Sequence, residues 1–246
     1  MWSGPRTIST TLLRAWGNRD DTVVVDEPLY AHYLATTGVD HPGRAEVIAA
    51  HDPDWRRVVA RLTAPPPGAA AISYQKHMAH HLLPTVERGW LAELRHAFLI
   101  REPARMLASL VQVTPYPTLA DTGLTQQAEI LEAVTALGQR PLVLDAGDVL
   151  AAPEPMLRAL CQRLGVGFSD RMLSWPAGPR DTDGVWARWW YDAVIASTGF
   201  GQDGPPARPL PGRLEPLLAA CRPYYERLHR LRLRSDDRTG DAADLR

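Results

Sequence analysis

Residues 22–28 read TVVVDEP, in which four β-branched residues lead into two carboxylates and a proline. A short apolar run of this kind predicts a buried strand. Three similar runs follow, at 69–75 (AAAISYQ), 95–103 (RHAFLIREP) and 140–148 (RPLVLDAGD). Helical patterns lie around and between the runs, at 9–17, 29–37, 53–63, 103–112, 124–138 and 153–164. Strands that alternate with helices predict an α/β fold, a parallel sheet with helices on both faces.

The pattern predicts one domain over residues 1–234. The segment APPPGA (64–69) is typical of a loop within that domain. A Pro/Gly-rich stretch at 201–212 predicts a long loop before a last helix at about 213–233. Residues 235–246 are polar, and we expect a disordered tail there.

Composition and charge argue against several kinds of partner. The 246 residues carry a formal net charge of −1, which gives no electrostatic reason to expect a nucleic acid or a membrane. No apolar run approaches the roughly 20 residues that span a bilayer, and the first residues lack the apolar region of a signal peptide. Cys161 and Cys221 are expected to be reduced thiols of a cytoplasmic protein, with a disulfide or a catalytic thiol as the alternative.

The first residues, SGPRTISTT (3–11), predict a turn that leads into an amphipathic helix. A helix N-terminus presents unpaired N–H groups and the positive end of a dipole. Arg6, Thr7, Ser9 and Thr10 add a cation and hydroxyls, a combination that suits a phosphate or sulfate group. The alternative is a simple Ser/Thr-rich helix cap. The stretch lacks the spacing and the lysine of a GxxxxGK[ST] nucleotide loop.

Only Met1 and Trp2 precede this turn, although a phosphate loop normally follows a strand. Either the first strand is vestigial, or the true start of the chain lies further upstream.

Arg101 ends the third predicted strand, and Ser109 lies eight residues further on. In an open parallel sheet, ligands bind at the carboxyl ends of the strands. A guanidinium in that position can contact a phosphate through two N–H groups. Taken alone, an arginine there is more often a residue of a surface ion pair.

The stretch SYQKHMAHH (73–81) contains Lys76, the only lysine among 27 basic side chains, together with three histidines. It follows the second predicted strand, so these side chains are also expected at the carboxyl edge of the sheet.

Taken together, the motifs resemble those of sulfotransferases that use 3′-phosphoadenosine 5′-phosphosulfate. Residues 6–10 are similar to the family's 5′-phosphosulfate loop, with Ile8 in place of the usual glycine. Arg101 and Ser109 are similar to its 3′-phosphate site, and residues 180–186 to its R-K-G-x-x-G-x-W element, one residue shorter. Residues 73–84 are similar to a K-T-H element followed by L-L-P, and Glu27-Pro28 to the Glu-Pro of several bacterial members. The chain is most similar to a bacterial group that opens with WSGPR.

The resemblance implies a P-loop-like α/β fold and transfer of a sulfuryl group to a hydroxyl or amine of a small molecule. The product of the cofactor would be 3′-phosphoadenosine 5′-phosphate, and no metal is expected. The residues implied in cofactor binding are Gly4, Arg6, Thr7, Ile8, Ser9, Thr10, Arg101, Ser109 and Arg180.

The resemblance also suggests catalytic roles. Arg6 would stabilise the leaving oxygen, and the compact ammonium of Lys76 would follow the sulfuryl oxygens as charge moves. Two residues compete as the base. Glu27 follows a buried strand, where desolvation would raise its pKa, whereas the ordinary pKa of His77 is already near neutral. Glu27 is our first choice.

Several interpretations of the other residues stay open. His80 and His81 are expected to be scaffold residues. His77 and His81 would suit zinc if they lay four apart on one helix face, but cysteine and carboxylate partners at ligand spacing are missing. Trp186, Trp189, Trp190 and Tyr191 either line an acceptor pocket or pack in the core.

Two other functions are considered: a P-loop small-molecule kinase, and a nucleotide-binding member of the fold without transfer activity. The acceptor and the oligomeric state are not predicted.

Overall fold

The computed structural model describes residues 1–201 and 210–235. Within these ranges five strands form one sheet: β1 (Trp2–Ser3), β2 (Thr22–Asp26), β3 (Ile72–Met78), β4 (Ala97–Ile100) and β5 (Leu142–Asp145). Their order is β2-β3-β1-β4-β5, and every neighbouring pair is parallel. The predicted parallel sheet is therefore confirmed.

Helices surround the sheet. In the described residues they are α1 (Ser9–Gly17), α2 (Tyr30–Thr37), α3 (Arg44–Ala50), α4 (Trp55–Leu62), α5 (Pro103–Leu110), α6 (Leu124–Ala136), α7 (Ala146–Ala151), α8 (Pro153–Leu164), α9 (Ala187–Trp190), α10 (Asp192–Ile195) and α11 (Glu215–His229). Each helix predicted within the described residues is present, with ends shifted by a few residues. The short helices α9 and α10 lie in the stretch 184–200, where a helix and a loop were expected, whereas α3 and α7 were not predicted.

The two faces of the sheet carry separate cores. Along β4, Ala97 and Leu99 pack with α1 and α8 on one face, and Phe98 and Ile100 pack with α6 and α11 on the other. This alternation follows from the two-residue period of a strand. It confirms an α/β fold with helices on both faces.

β1 is only two residues long, yet it occupies the centre of the sheet. Trp2 pairs with His77 of β3 on one side and with Phe98 of β4 on the other. The turn that follows β1 therefore opens at the middle of the carboxyl edge, between the ends of β3 and β4.

Two strand predictions need correction. β3 runs from Ile72 to Met78 and not over 69–75, because pairing with β1 and β2 holds Lys76, His77 and Met78 in extended conformation. β5 ends at Asp145, where the predicted strand continued to 148. The side chain of Asp145 accepts a hydrogen bond from Gly147 N and starts α7 there.

Much of the predicted loop at 201–212, and all but the first residue of the predicted tail at 235–246, lie outside the described residues. Among the helices that are described, none has the length and apolar character needed to cross a bilayer.

Candidate active site

The turn from β1 into α1 is held in an unusual backbone conformation. Arg6 and Ile8 have φ angles of 59° and 62°, in the left-handed region that favours glycine. The Thr7 hydroxyl donates to the carbonyl of Gly4 over 2.9 Å. Gly4 packs so closely against the backbone carbonyl of Thr122 that a Cβ would overlap it. The tight turn directs the N-terminal end of α1 into a cavity at the carboxyl edge of the sheet.

This first cavity brings together most of the residues predicted to bind the cofactor. It has a volume of about 360 Å³. We call it the anion cavity, because Arg6 and Arg101 both line it, together with Thr7, Ile8, Ser9, Thr10 and Ser109. Arg6 Nε donates to Ser109 Oγ over 2.8 Å, and Arg101 donates to the Arg6 carbonyl over 3.0 Å.

Two guanidinium groups thus lie close together at the start of a helix. Burial, and then the charge of Arg101, lower the pKa of Arg6. An anion in this cavity would offset that repulsion and would also face the N–H groups at the start of α1.

A second cavity, of about 190 Å³, lies next to the first. We call it the acceptor cavity; its lining includes Glu27 and Lys76. Five residues line both cavities: Arg6, Ser9, Thr10, Trp190 and Tyr191. One wall therefore separates a cationic cavity from a cavity with a carboxylate.

Lys76 lies beneath this wall and is 1% exposed. Its ammonium donates to Asp26 Oδ1 over 3.0 Å, to Glu27 Oε1 over 2.5 Å and to the hydroxyl of Tyr191 over 2.7 Å. That hydroxyl donates in turn to Asp26 Oδ2 over 2.7 Å. An ammonium has three donors, so all three have acceptors, and Lys76 holds the two carboxylates in place.

The pKa values of both Glu27 and Lys76 are raised, but for different reasons. Burial is the largest cause that raises the pKa of Glu27, and Lys76 acts in the opposite direction. Burial alone would lower the pKa of Lys76, but Asp26 and Glu27 outweigh it and raise that pKa well above its ordinary value. Glu27 is therefore a carboxylate whose affinity for a proton is increased, beside an ammonium that stays charged.

The backbone at Glu27 is also strained. Its φ angle is 41°, although it carries a side chain, and its N–H donates to the Lys76 carbonyl over 2.9 Å. Such positions occur preferentially at functional sites.

The structure places His77 on the opposite face of β3 from Lys76. Its ring lies 4.3 Å from that of Trp2, between centroids, and Nε2 lies 3.2 Å from Gln75 Oε1. His77 lines neither of the two cavities, and burial lowers its pKa well below the ordinary value. This position argues against His77 as the base, because neighbours in a strand point to opposite faces.

His80 and His81, expected to be scaffold residues, both line the acceptor cavity. The ring of His81 stacks on Tyr30 with centroids 4.5 Å apart, and its Nδ1 lies 3.9 Å from Glu27 Oε2. His77 is in a strand and His81 in a 3₁₀ turn. The helical spacing on which the zinc interpretation depended is therefore absent.

Arg180 lies apart from the residues with which it was predicted to act. It lines neither cavity, and it donates to the Arg14 carbonyl in the C-terminal half of α1. Its segment is fixed by a buried ion pair between Arg14 and Asp183 at 2.5 Å. Arg180 thus packs around α1, and this position argues against its predicted role at the phosphate.

Of the four aromatic residues at 186–191, some pack in the interior and others line the cavities. Trp186 is buried in a core with Tyr30, and its Nε1 donates to the Tyr191 hydroxyl over 3.1 Å. Trp189 packs over Gly43, whereas Trp190 and Tyr191 line the cavities.

Among the residues of the acceptor cavity that sequence reasoning missed, four carry aromatic or acidic side chains: Tyr30, Tyr33, His41 and Asp121. Tyr30 and Tyr33 lie one turn apart at the start of α2, directly after the DEP stretch, and that proximity to a strand end was a usable signal. Asp121 lies in a 3₁₀ turn far along the chain (Ala120–Thr122), and no sequence pattern marks it.

Comparison with known proteins gives the family. The model of the family described as "Sulfotransferase domain" matches residues 1–232. Two Arabidopsis thaliana proteins, named branched-chain-amino-acid aminotransferase-like proteins 2 and 1, are 36% and 38% identical to this chain over 224 residues, or 91% of it. That match spans only 40% of the length of each relative.

A solved structure agrees in fold. The sulfotransferase from Alicyclobacillus acidocaldarius superposes with a TM-score of 0.53 and 14% identity, covering 95% of this chain and 94% of its own. From the family match over nearly its whole length, this chain belongs to the sulfotransferase domain family.

Proposed function

We propose that the chain is a sulfotransferase that moves a sulfuryl group from 3′-phosphoadenosine 5′-phosphosulfate to a hydroxyl or amine of a small molecule. The observation that carries this proposal is the shared wall. Arg6, Ser9 and Thr10 at the start of α1, with Trp190 and Tyr191, border both cavities. A group held on the cationic side would thus be within reach of an acceptor on the carboxylate side.

The anion cavity suits a cofactor with phosphate at two positions. Arg6, Ser9, Thr10 and the N–H groups of α1 would hold the 5′-phosphosulfate, and Arg101 and Ser109 the 3′-phosphate. When bound, the cofactor would supply the activated sulfuryl group. The contact between Arg6 and Ser109 would couple the two phosphate positions.

Glu27 would take the proton of the acceptor. Its carboxylate lines the acceptor cavity, and burial raises its pKa toward the range of a useful base. Lys76 would act mainly as a positioning residue, since its three donors are already directed to Asp26, Glu27 and Tyr191. These contacts argue against the mobile role first expected for Lys76.

Calorimetric titration with 3′-phosphoadenosine 5′-phosphate and, separately, with ATP tests the proposal. We expect micromolar binding of the first compound and no binding of ATP. Arg101→Ala should abolish that binding because it removes one of the two guanidinium groups. Arg158→Ala, which changes an exposed ion pair on α8, is the matched control and should bind normally. Binding of ATP alone would instead favour a kinase, and undiminished binding by Arg101→Ala would contradict the assigned site.

A further inference from the structure

The acceptor cavity is small and walled by rings. Its volume of about 190 Å³ is below the roughly 300–1,000 Å³ of sites for drug-sized ligands. Its walls include Tyr30, Tyr33, Trp190 and three histidines, His41, His80 and His81. A bound acceptor would therefore be a small molecule in contact with aromatic faces and edges.

One carboxylate of this cavity has no cationic partner in the part of the chain that the structure describes. Asp121 Oδ2 accepts from the backbone N–H of Thr118 over 2.8 Å and from its hydroxyl over 2.7 Å. The negative charge of Asp121 acts on Tyr33, His41 and His80, which form the neighbouring wall. A negative charge thus faces the aromatic side of the cavity.

The two cations of the lining are already engaged. Arg6 is directed toward Ser109 at the anion cavity. Lys76 lies between Asp26 and Glu27, a group with two carboxylates and one ammonium. In the proposed complex the phosphates of the nucleotide would neutralise Arg6. The carboxylates of Asp26, Glu27 and Asp121 would then face the single ammonium of Lys76, which leaves an excess of negative charge at the acceptor cavity.

The histidines do not supply the missing positive charge. Burial lowers the pKa of His41 and His81 and lowers that of His80 to about 4. All three rings are therefore neutral near pH 7 and act as further aromatic surface.

His81 adds a polar atom near the reacting end. The residue is 3% exposed, and its Nδ1 has no hydrogen-bond partner among the described residues. That atom lies 3.9 Å from Glu27 Oε2. A hydroxyl placed here would contact both the base and a ring nitrogen.

From these features we infer that the acceptor is a small alcohol with a positively charged nitrogen, such as a quaternary ammonium or amino alcohol. Its hydroxyl would lie at Glu27 and His81, and its cation against Tyr33, Trp190 and Asp121. Aromatic faces attract such cations through their quadrupole. The carboxylate of Asp121 would balance the positive charge of the acceptor. This inference rests on the proposed sulfotransferase function.

Choline and 3,3-dimethylbutan-1-ol test the inference, because they have the same shape and differ in charge. Calorimetry with 3′-phosphoadenosine 5′-phosphate present should show choline binding at least about tenfold more tightly. Asp121→Asn should reduce choline affinity several-fold toward that of the neutral alcohol, with the remaining preference due to the aromatic rings, and leave the alcohol unchanged. Asp170→Asn, at an exposed carboxylate, is the matched control.

A second pair of variants separates the aromatic wall from the carboxylate. Tyr33→Phe should keep the preference for choline, and Tyr33→Leu should reduce it, because only phenylalanine retains a ring. Equal binding of the two probes, or tighter binding of the neutral alcohol, would overturn the inference. Normal binding of the nucleotide in that case would leave the proposed sulfotransferase function intact, whereas loss of nucleotide binding to the unmodified chain would count against that function.

Discussion

Asp26, Glu27 and Lys76 show how single residues set the chemistry of the site. Asp26 and Lys76 are paired across β2 and β3, so the ammonium lies against the carboxylate by strand register alone. Glu27 follows directly, in a left-handed conformation that turns its side chain toward the same ammonium. Two buried carboxylates are tolerated because the ammonium of Lys76 donates a hydrogen bond to each of them. Removal of this ammonium would typically cost about 3–5 kcal/mol of folding free energy, since it would leave buried charges without a partner.

The pH dependence of turnover should report on Glu27. Only the ionised carboxylate can take a proton, so kcat should rise with pH along a limb whose midpoint lies above 4.5, the ordinary pKa of this residue. Asp26→Asn should move the limb to lower pH, because the charge of Asp26 raises the pKa of Glu27. Rate profiles of the two proteins measure the difference. A limb that is unchanged, or that moves to higher pH, would show that another group is titrating.

Substitution of the two competing bases completes that experiment. Glu27→Gln should lower kcat by roughly 10²–10⁴-fold with nucleotide binding retained. His77→Phe keeps a ring between Trp2 and Trp90 and should retain turnover. The reverse outcome would restore His77 as the base.

At the scale of elements, the turn from β1 to α1 combines a left-handed isoleucine with a helix N-terminus. For a residue with a Cβ this conformation costs roughly 1–2 kcal/mol. Ile8 also packs its side chain against one of the two cores, which helps to hold the strained turn in place.

Ile8 variants should separate backbone conformation from side-chain chemistry. Ile8→Gly can adopt the φ of 62° without strain and should bind 3′-phosphoadenosine 5′-phosphate within about threefold of the unmodified chain. Ile8→Pro should bind more than about tenfold more weakly, because proline fixes φ near −65°. Calorimetry on folded protein, checked by circular dichroism, measures both. Normal binding by the proline variant would mean that the turn does not hold the nucleotide.

The end of β3 explains what sequence could and could not predict about the site. The pattern identified a strand and placed Lys76 and His77 together after it. The real strand continues through Met78 because β1 and β2 pair with it, and this sends the two side chains to opposite faces. Strand ends depend on partners that are distant in sequence, so local pattern alone cannot fix them.

For the whole molecule, alternation of strands and helices was enough to predict the fold class, since each run carries its own periodicity. The order β2-β3-β1-β4-β5 was not predicted. A two-residue strand such as β1 has no periodicity to detect, although it forms the centre of the sheet. Tyr33 and Asp121 line the same cavity but are nearly ninety positions apart, so no local sequence pattern could place them together.

The cavities lie between elements from most of the chain, so nucleotide binding should stabilise the whole fold. At a nucleotide concentration 100-fold above Kd, about 2.7 kcal/mol of stabilisation is expected. For a chain of this size that corresponds to a rise in Tm of roughly 5–10 °C. Thermal unfolding with and without 3′-phosphoadenosine 5′-phosphate measures the rise. Arg158→Ala should show the same rise and Arg101→Ala none; an equal rise for both would place the nucleotide elsewhere.

The burial of the chain's single lysine has a practical consequence. With 1% of Lys76 exposed and every other basic side chain an arginine or histidine, an amine-directed label cannot reach a lysine while Asp26, Glu27 and Tyr191 stay packed around its ammonium. Acylation of that side chain would require these side chains to move apart. The rate of its modification would thus report how often this buried cluster opens.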